Sequence, residues 1–224
     1  MTNTNRIKID NNILKNINIE IDSDNILLKE IINDDNFISN KWRIAKGFKP
    51  IYDKNSKILI VGTIPSKKGR KNKFYYSNKE NNFWELLSNA LSESNKKVKF
   101  NINNYDSIKR KLKENNIALA DTIDTCIRVS GSLDDGIVAY KLNDEIKNII
   151  RKSEINKIVC TSETSKRFIK EILKITRINK KHTYKFDDRE IQIEHVTSPS
   201  ATYWKNITKK RKEKIYLEWK NALK

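Results

Sequence analysis

Short apolar blocks alternating with amphipathic stretches predict an α/β chain, a three-layer α/β/α sandwich around a central, mainly parallel four-stranded sheet. Three observations carry this reading. The blocks at residues 58–61 (ILIV), 117–120 (IALA), 157–160 (KIVC) and 191–196 (IQIEHV) have strand length and are rich in Ile and Val. Apolar residues at helical spacing fill the intervals, predicting helices over 82–92, 105–114, 143–151 and 163–175, with a last one over 208–223. A chain of 224 residues is also long enough for one such domain with a sizeable core.

The first 45 residues read as a separate addition. Ser23 is placed to cap a helix whose apolar positions Ile26, Leu27, Ile31 and Ile32 recur at helical spacing, so residues 1–45 are expected to be a helical extension and 46–224 the main domain. Pro and Gly number only 3 and 5, too few to mark a linker.

Composition excludes several classes of function. No apolar run approaches the roughly 18 residues needed to cross a bilayer, and the opening MTNTNRIKIDNN does not read as a secretory signal, so a cytoplasmic protein is expected. Cys126 and Cys160 stand in apolar surroundings, as reduced buried thiols do, and two cysteines cannot supply a four-cysteine metal or iron–sulfur site. With His182 and His195 the only histidines, the expectation is chemistry without a metal.

The formal charge of +18 points to a polyanionic partner, nucleic acid first. Residues 1–40 hold four basic and seven acidic side chains, a net of −3 that leaves +21 for the rest, so the polyanion is expected to meet residues 41–224.

In open α/β sheets ligands bind beyond the carboxyl ends of the strands. The first such segment is Gly62-Thr63-Ile64-Pro65-Ser66, where glycine permits a tight turn and proline stiffens a loop that offers backbone groups. It is not a P-loop, for it lacks the Gly-Lys-Ser/Thr ending and the next predicted helix is distant. The basic run Lys67, Lys68, Arg70, Lys71, Lys73 follows, suited to a phosphate or to solvent. Next comes FYYSNKENNFW (residues 74–84), aromatics around amides, which suits stacking on a base while hydrogen-bonding its edges. Phe83 and Trp84 are expected to be partly core, and Tyr76 and Asn81 to be members of the site. Asp121 puts a carboxylate at the ligand-binding end of the second strand. Arg128 and Ser132 belong to a small-residue turn (RVSGSLD), and Ser198, Pro199 and Ser200 follow Thr197 after the last strand, where hydroxyls and amides suit another phosphate.

Taken in order, GTIPS, YYSNKENNFW, LADTIDTCIRVSGSLDDGI, VTSPSA and a terminal helix with KIYLEW resemble the hypoxanthine-DNA glycosylase group of the uracil-DNA glycosylase superfamily, over roughly residues 47–223. The resemblance implies a Rossmann-like sheet, a monomer acting on DNA, flipping of a base, and cofactor-free hydrolysis of its N-glycosidic bond. Most of the superfamily carries a Gly-x-Asp/Asn-Pro motif whose third residue activates water; here that residue is Ile64. The hypoxanthine group is similar in this respect, and its Asn before Phe-Trp matches Asn81, which makes Asn81 the leading water-positioning residue and Asp121, matching the group's strand-end Asp, the second. The base pocket is then expected among Gly62, Thr63, Ile64, Pro65, Ser66, Tyr76, Phe83 and Ala120. An aromatic commonly precedes that Asp in the group, so Ala120 would leave room for a larger base, such as an enlarged pyrimidine of phage DNA, and a role in phage defence. DNA phosphates are assigned to Lys67, Lys68, Arg70, Arg128, Ser132, Ser198, Pro199, Ser200, Lys209, Lys210 and Arg211. His195 lies upstream of the place a catalytic histidine would take and receives no role. The competing expectation, prompted by the missing acid, is an inactive DNA-binding or damage-sensing module of the same fold.

Overall fold

The computed structural model describes residues 8–9, 17–22, 25–31, 42–129, 137–175 and 183–224. In chain order the first elements are β1 (Lys8–Ile9), β2 (Ile17–Asp22), β3 (Asn25–Ile31), β4 (Trp42–Lys46), β5 (Ile58–Gly62), α1 (Lys67–Lys71), α2 (Phe83–Leu91), α3 (Tyr105–Glu114) and β6 (Ile117–Asp121). There follow β7 (Ile123–Val129), β8 (Ile137–Leu142), α4 (Glu145–Arg151), β9 (Lys157–Cys160), α5 (Glu163–Leu173), β10 (Thr183–Phe186), β11 (Arg189–His195), α6 (Ala201–Trp204) and α7 (Lys209–Ala222). The chain divides into two compact units, residues 1–46 with 123–143, and 47–122 with 144–224.

The first unit is a β structure. Strands β1, β8, β7 and β4 form an antiparallel sheet in that order, and β2 pairs with β3 as a separate two-stranded ribbon. This corrects the helical extension. The spacing of Ile26, Leu27 and Ile31 fits a helix, but the preceding INIEID places Ile17, Ile19 and Ile21 at a strict period of two. The backbone register of the ribbon sets Ile21 opposite Ile26 and Ile19 opposite Leu28, so residues 25–31 run as a strand. Ser23 and Ile32 lie outside the described residues. Residues 123–143 also group with this unit, so the main domain is not the continuous 46–224 of the sequence reading.

The second unit has the expected layers. Its sheet has the order β10-β11-β9-β5-β6; β11, β9, β5 and β6 are the four foreseen strands, and they run parallel. The fifth, β10, is an antiparallel edge strand turned back by Asp187, whose φ of 49° is left-handed and whose carboxylate binds Arg151 at 2.8 Å. The pleat divides the core. Ile60, Leu119 and Val159 pack with Phe83, Leu86 and Leu87 of α2, Ile108 and Leu112 of α3, and Trp219 of α7. Their strand neighbours Leu59, Ala118 and Ile158 are equally buried, and α5 covers that opposite side against β9 and β11.

Two short helices were not foreseen. Helix α1 makes the basic run start as a helix directly after Ser66, whose hydroxyl accepts from the Gly69 N–H at 3.1 Å. Its sequence KKGRK has no apolar periodicity to announce it. Among the described residues, no helix is long and apolar enough to cross a membrane.

Candidate active site

Four parallel strands end side by side in the second unit, and main-chain bonds tie their exits together. The Thr122 N–H donates to the Gly62 carbonyl (2.9 Å), Thr161 N–H to Val61 (3.0 Å) and Val196 N–H to Cys160 (3.0 Å). Side chains add to this lattice. Thr63 and Ser162 share a hydroxyl bond at 3.3 Å, and Ser162 also caps α5 with a reciprocal bond to Ser165. The loops after β5, β6 and β9 therefore form one connected floor.

Asp121 closes β6 and is 4% exposed. A buried carboxylate needs donors, and one is the main-chain N–H of Phe48, 3.0 Å from Oδ2. Phe48 is held in turn: its carbonyl accepts from the Tyr75 hydroxyl at 3.0 Å, its ring meets that of Tyr75 edge-on at 5.2 Å, and nearby Ile51 exchanges two backbone bonds with Leu119 on the edge of β6 (2.9 and 2.8 Å).

Tyr76 forms the opposite wall. Its ring stacks face to face on Phe83 at 3.7 Å and 7°, and its hydroxyl lies 3.4 Å from the hydroxyl of Thr161. Burial chiefly, with a smaller contribution from the Asp121 charge, raises its pKa well above the ordinary tyrosine value, so it stays a neutral phenol. Its φ of 48° is a left-handed conformation uncommon for a bulky residue. The phenol explains Gly62: a Cβ there would lie 2.7 Å from Tyr76 Oη and 3.5 Å from Asp121 Oδ1. Glycine is needed for this close approach, with no left-handed turn at Gly62 itself.

Asn81 is a local organiser. Its Oδ1 accepts from the Phe83 N–H at 2.9 Å, and the neighbouring Asn82 N–H donates to the Pro199 carbonyl at 2.9 Å, so the FYYSNKENNFW and TSPS segments touch. The TSPS segment is fixed from behind. Thr197 donates its N–H and its hydroxyl to the two oxygens of Glu218 (2.9 and 2.7 Å), while Trp219 and Trp204 donate to the carbonyls of Thr197 and Ser198 at 3.0 Å. The Thr197 hydroxyl is thereby committed to α7.

Two base-pocket expectations are corrected. Phe83 is 0% exposed, with Tyr76 on one face and Trp84 and Trp219 edge-on around it, so no face remains for a base. Ala120, 1% exposed and paired with Val61, projects from the other side of the pleat than Asp121. Gly62 meets Tyr76 at the end of β5, and Thr63, Ile64, Pro65 and Ser66 follow it in the chain, Pro65 buried and its carbonyl accepting from Arg70 at 2.9 Å.

The basic residues separate into kinds. Lys68 pairs with Glu80 at 2.7 Å, which lowers the Glu80 pKa. Lys209, Lys210 and Arg211 open α7, a helix with no acidic residue in its first turn, and Arg211 also reaches the Tyr203 hydroxyl at 2.6 Å. Arg128 is 7% exposed on β7 of the first unit, and Ser132 lies outside the described residues. The two cysteines are free and buried. Among the described residues no three His, Cys, Asp or Glu side chains gather as a metal-binding group.

Sequence reasoning missed Phe48, Tyr75 and the Thr161 hydroxyl. Phe48 acts through a backbone N–H, which leaves no mark in a sequence, whereas Thr161 stood in a strand-end loop and was open to notice.

Comparison with known proteins agrees with this fold. The profile of the Uracil DNA glycosylase superfamily matches residues 49–220. The chain is similar to a hypoxanthine DNA glycosylase of Methanosarcina acetivorans, 34% identical over 101 residues that are 45% of this chain and 60% of that protein. It is also similar to one of Methanosarcina barkeri, 34% identical over 76 residues, 34% of this chain and 45% of that protein. The matched stretches thus span less than two thirds of either relative. In fold it is similar to the solution NMR structure of a uracil DNA glycosylase candidate from Methanosarcina acetivorans, with a TM-score of 0.57, 21% identity, and 80% of this chain and 99% of that one covered.

Proposed function

The chain belongs to the uracil DNA glycosylase superfamily, and from its site we infer that it is a monofunctional DNA glycosylase that hydrolyses the N-glycosidic bond of an extruded base. The observation that carries this reading is the buried Asp121, fixed by the Phe48 N–H at the carboxyl end of the sheet, with the neutral Tyr76 phenol across Gly62.

DNA is captured by the cationic second unit. Lys209 and Lys210 stand at the positive end of the α7 dipole, where cations are unfavourable without an anion to meet them, which supports a phosphate partner there. Lys67, Lys68 and Arg70 precede the aromatic segment and serve the adjoining strand. The target nucleotide leaves the stack at a cost of a few kcal/mol. Tyr76 bounds the pocket, and the main-chain amides of Thr63 and Ile64 face charge that develops on the departing base.

Chemistry follows the general course of sugar hydrolysis. The C1′–N bond breaks with its electron pair passing to the base, C1′ becomes oxocarbenium-like, and water adds to it. The proton lost from water passes to the carboxylate and from there to solvent, and the departing base anion takes one proton from solvent at nitrogen, so that one water is added across the C1′–N bond. What supports Asp121 over Asn81 as the group that activates this water is charge and burial, since the Asn81 oxygen already receives the Phe83 N–H. Asn81 then positions the segment that carries Tyr76.

Uracil and hypoxanthine are the leading bases, by similarity to the named relatives. The phage-defence setting takes no support from Ala120, given the side of the sheet it occupies. The test incubates the protein with oligonucleotides bearing uracil, hypoxanthine or an enlarged pyrimidine, then cleaves abasic sites with alkali. Breaks on at least one substrate are expected. Binding without breaks across the panel would establish the alternative, an inactive DNA-binding module, which Ile64 in place of the superfamily's acid favours.

A further inference from the structure

A cavity of about 520 Å³ opens in the second unit away from the strand ends. It includes Ile117, the first residue of β6, whereas Asp121 is the last. Four residues of strand make a separation of about 13 Å. The cavity opens at the other end of β6 from the buried carboxylate, and the two share Phe48.

Its lining is of two kinds. Phe48 and Ile51, both partly exposed, form the accessible apolar wall, backed by Phe74, Tyr75 and Ile117, which are 6%, 3% and 1% exposed. Lys49, Lys73, Lys109 and Lys113 also line the cavity, against one acidic residue, Asp53. Lys113 stands 3.6 Å from Asp53 and Lys109 is 3.3 Å from Asp106. Lys49 and Lys73 carry the excess of positive charge. Tyr52 adds a further aromatic ring, partly exposed.

We propose that this cavity is a second ligand site that takes a nucleotide, with its planar ring against the aromatic wall and its phosphate on Lys49 and Lys73. Apolar walls with a few convergent charged groups are the usual form of a small-molecule site, and the volume falls in the ordinary range for one. A ring alone would leave the lysines unmatched, and inorganic phosphate alone would leave the aromatic wall unused. Occupancy also bears on the carboxylate. Phe48 and Tyr75 line the cavity, and the same two residues fix Asp121, one by its N–H and the other by holding Phe48. A ligand here presses on the support of Asp121 without touching it.

The nucleotide has two sources, a free mononucleotide or a nucleotide of a DNA strand that runs past the main site. The experiment measures binding directly, with no glycosylase readout, so failure of the catalytic reading leaves it unaffected. Calorimetric titrations compare a deoxynucleoside 5′-monophosphate, the matching deoxynucleoside, inorganic phosphate, and single-stranded oligonucleotides of four and twelve residues. The protein is used whole, as wild type, as Lys49→Ala/Lys73→Ala, as Tyr52→Ala, and as Lys96→Ala/Lys97→Ala, an exposed pair outside the cavity.

For a free ligand, the monophosphate binds one to one, at least tenfold more tightly than the nucleoside or phosphate. The Lys49/Lys73 variant then loses at least tenfold, Tyr52→Ala weakens the monophosphate more than phosphate, and the Lys96/Lys97 variant keeps wild-type affinity. For a strand-borne ligand, the monophosphate does not bind, and the Lys49/Lys73 variant loses at least tenfold on the twelve-residue strand but little on the four-residue one. Either pattern upholds the site. Equal losses in the two double-lysine variants would reduce the effect to net charge and overturn it, as would unchanged affinities in the Lys49/Lys73 variant for every ligand.

Discussion

Two strand ends in the second unit carry polar groups of opposite kinds. At the end of β6 a carboxylate, Asp121, receives an N–H from the backbone of a distant loop. Beyond the end of β11 the roles reverse, and Thr197 donates both its N–H and its hydroxyl to the carboxylate of Glu218. Both arrangements satisfy buried or half-buried polar atoms, yet only the first sets its carboxylate beside a position that glycine keeps clear. The second holds a loop still. The comparison teaches that the TSPS segment works as a fixed frame, braced by two tryptophan N–H groups, whereas the group proposed to react stands on β6.

That contrast is most directly broken at Asp121. Asp121→Asn keeps an oxygen for the Phe48 N–H but removes the charge, so kcat is expected to fall by about 10²–10⁴ with the melting temperature little changed. A variant with full activity on a cleavable base would remove Asp121 from the chemistry. Gly62→Ala ranks next. Its methyl would sit 2.7 Å from Tyr76 Oη, and the ring cannot yield easily while stacked on Phe83, so activity should drop by about tenfold or more and stability by about 1–3 kcal/mol. Crystallography of the variant would show the phenol displaced.

The frame answers differently. Glu218→Gln leaves shape but weakens two hydrogen bonds to Thr197, for an expected loss of about 1–3 kcal/mol in urea unfolding. Its kcat on bound substrate should stay within a fewfold of wild type, and a loss as deep as that of Asp121→Asn would erase the distinction between the two ends. Asn81→Ala should lower stability by about 1 kcal/mol through the lost bond to the Phe83 N–H. A kcat effect far beyond that change would restore Asn81 as the residue that holds the water.

The smallest effect is a matter of pH. Burial raises the Tyr76 pKa above its unfolded value of about 10. The native state therefore keeps a proton that the unfolded chain releases, and stability falls as pH rises above about 10. Tyr76→Phe removes that contribution, so its urea midpoint measured from pH 9 to 11 should decline less steeply, by about 1.4 kcal/mol per pH unit at most. Identical slopes would mean that Tyr76 ionises freely in the fold.

The parallel strands were legible because each is an apolar block with helices on both sides, and Asp121 was legible because it ends one of them. Tyr76 was legible as an aromatic among amides. What escaped notice has physical reasons. The residues 26–31 satisfy a helical count and a strand count alike, and only the pairing with β2 decides between them. Edge strand β10 is four residues long and depends on a left-handed aspartate for its turn. The side of the pleat on which Ala120 falls is set by sheet register, and the occupation of Phe83 depends on the Tyr76 ring from the preceding loop and on Trp219 of the distant helix α7, besides its own neighbour Trp84. Phe48 was invisible because its contribution is an amide that every non-proline residue owns.

The short backbone bridge between Ile51 and Leu119 has a kinetic consequence. It is the clasp by which the segment that begins at Phe48 stays on the rim of the sheet. Any fluctuation that unzips this clasp exposes the amides of Ile51 and Phe48 together, and in the same event leaves Asp121 without its main-chain donor. Deuterium uptake at the two amides should therefore share one opening constant, which measures how often the support of Asp121 lets go.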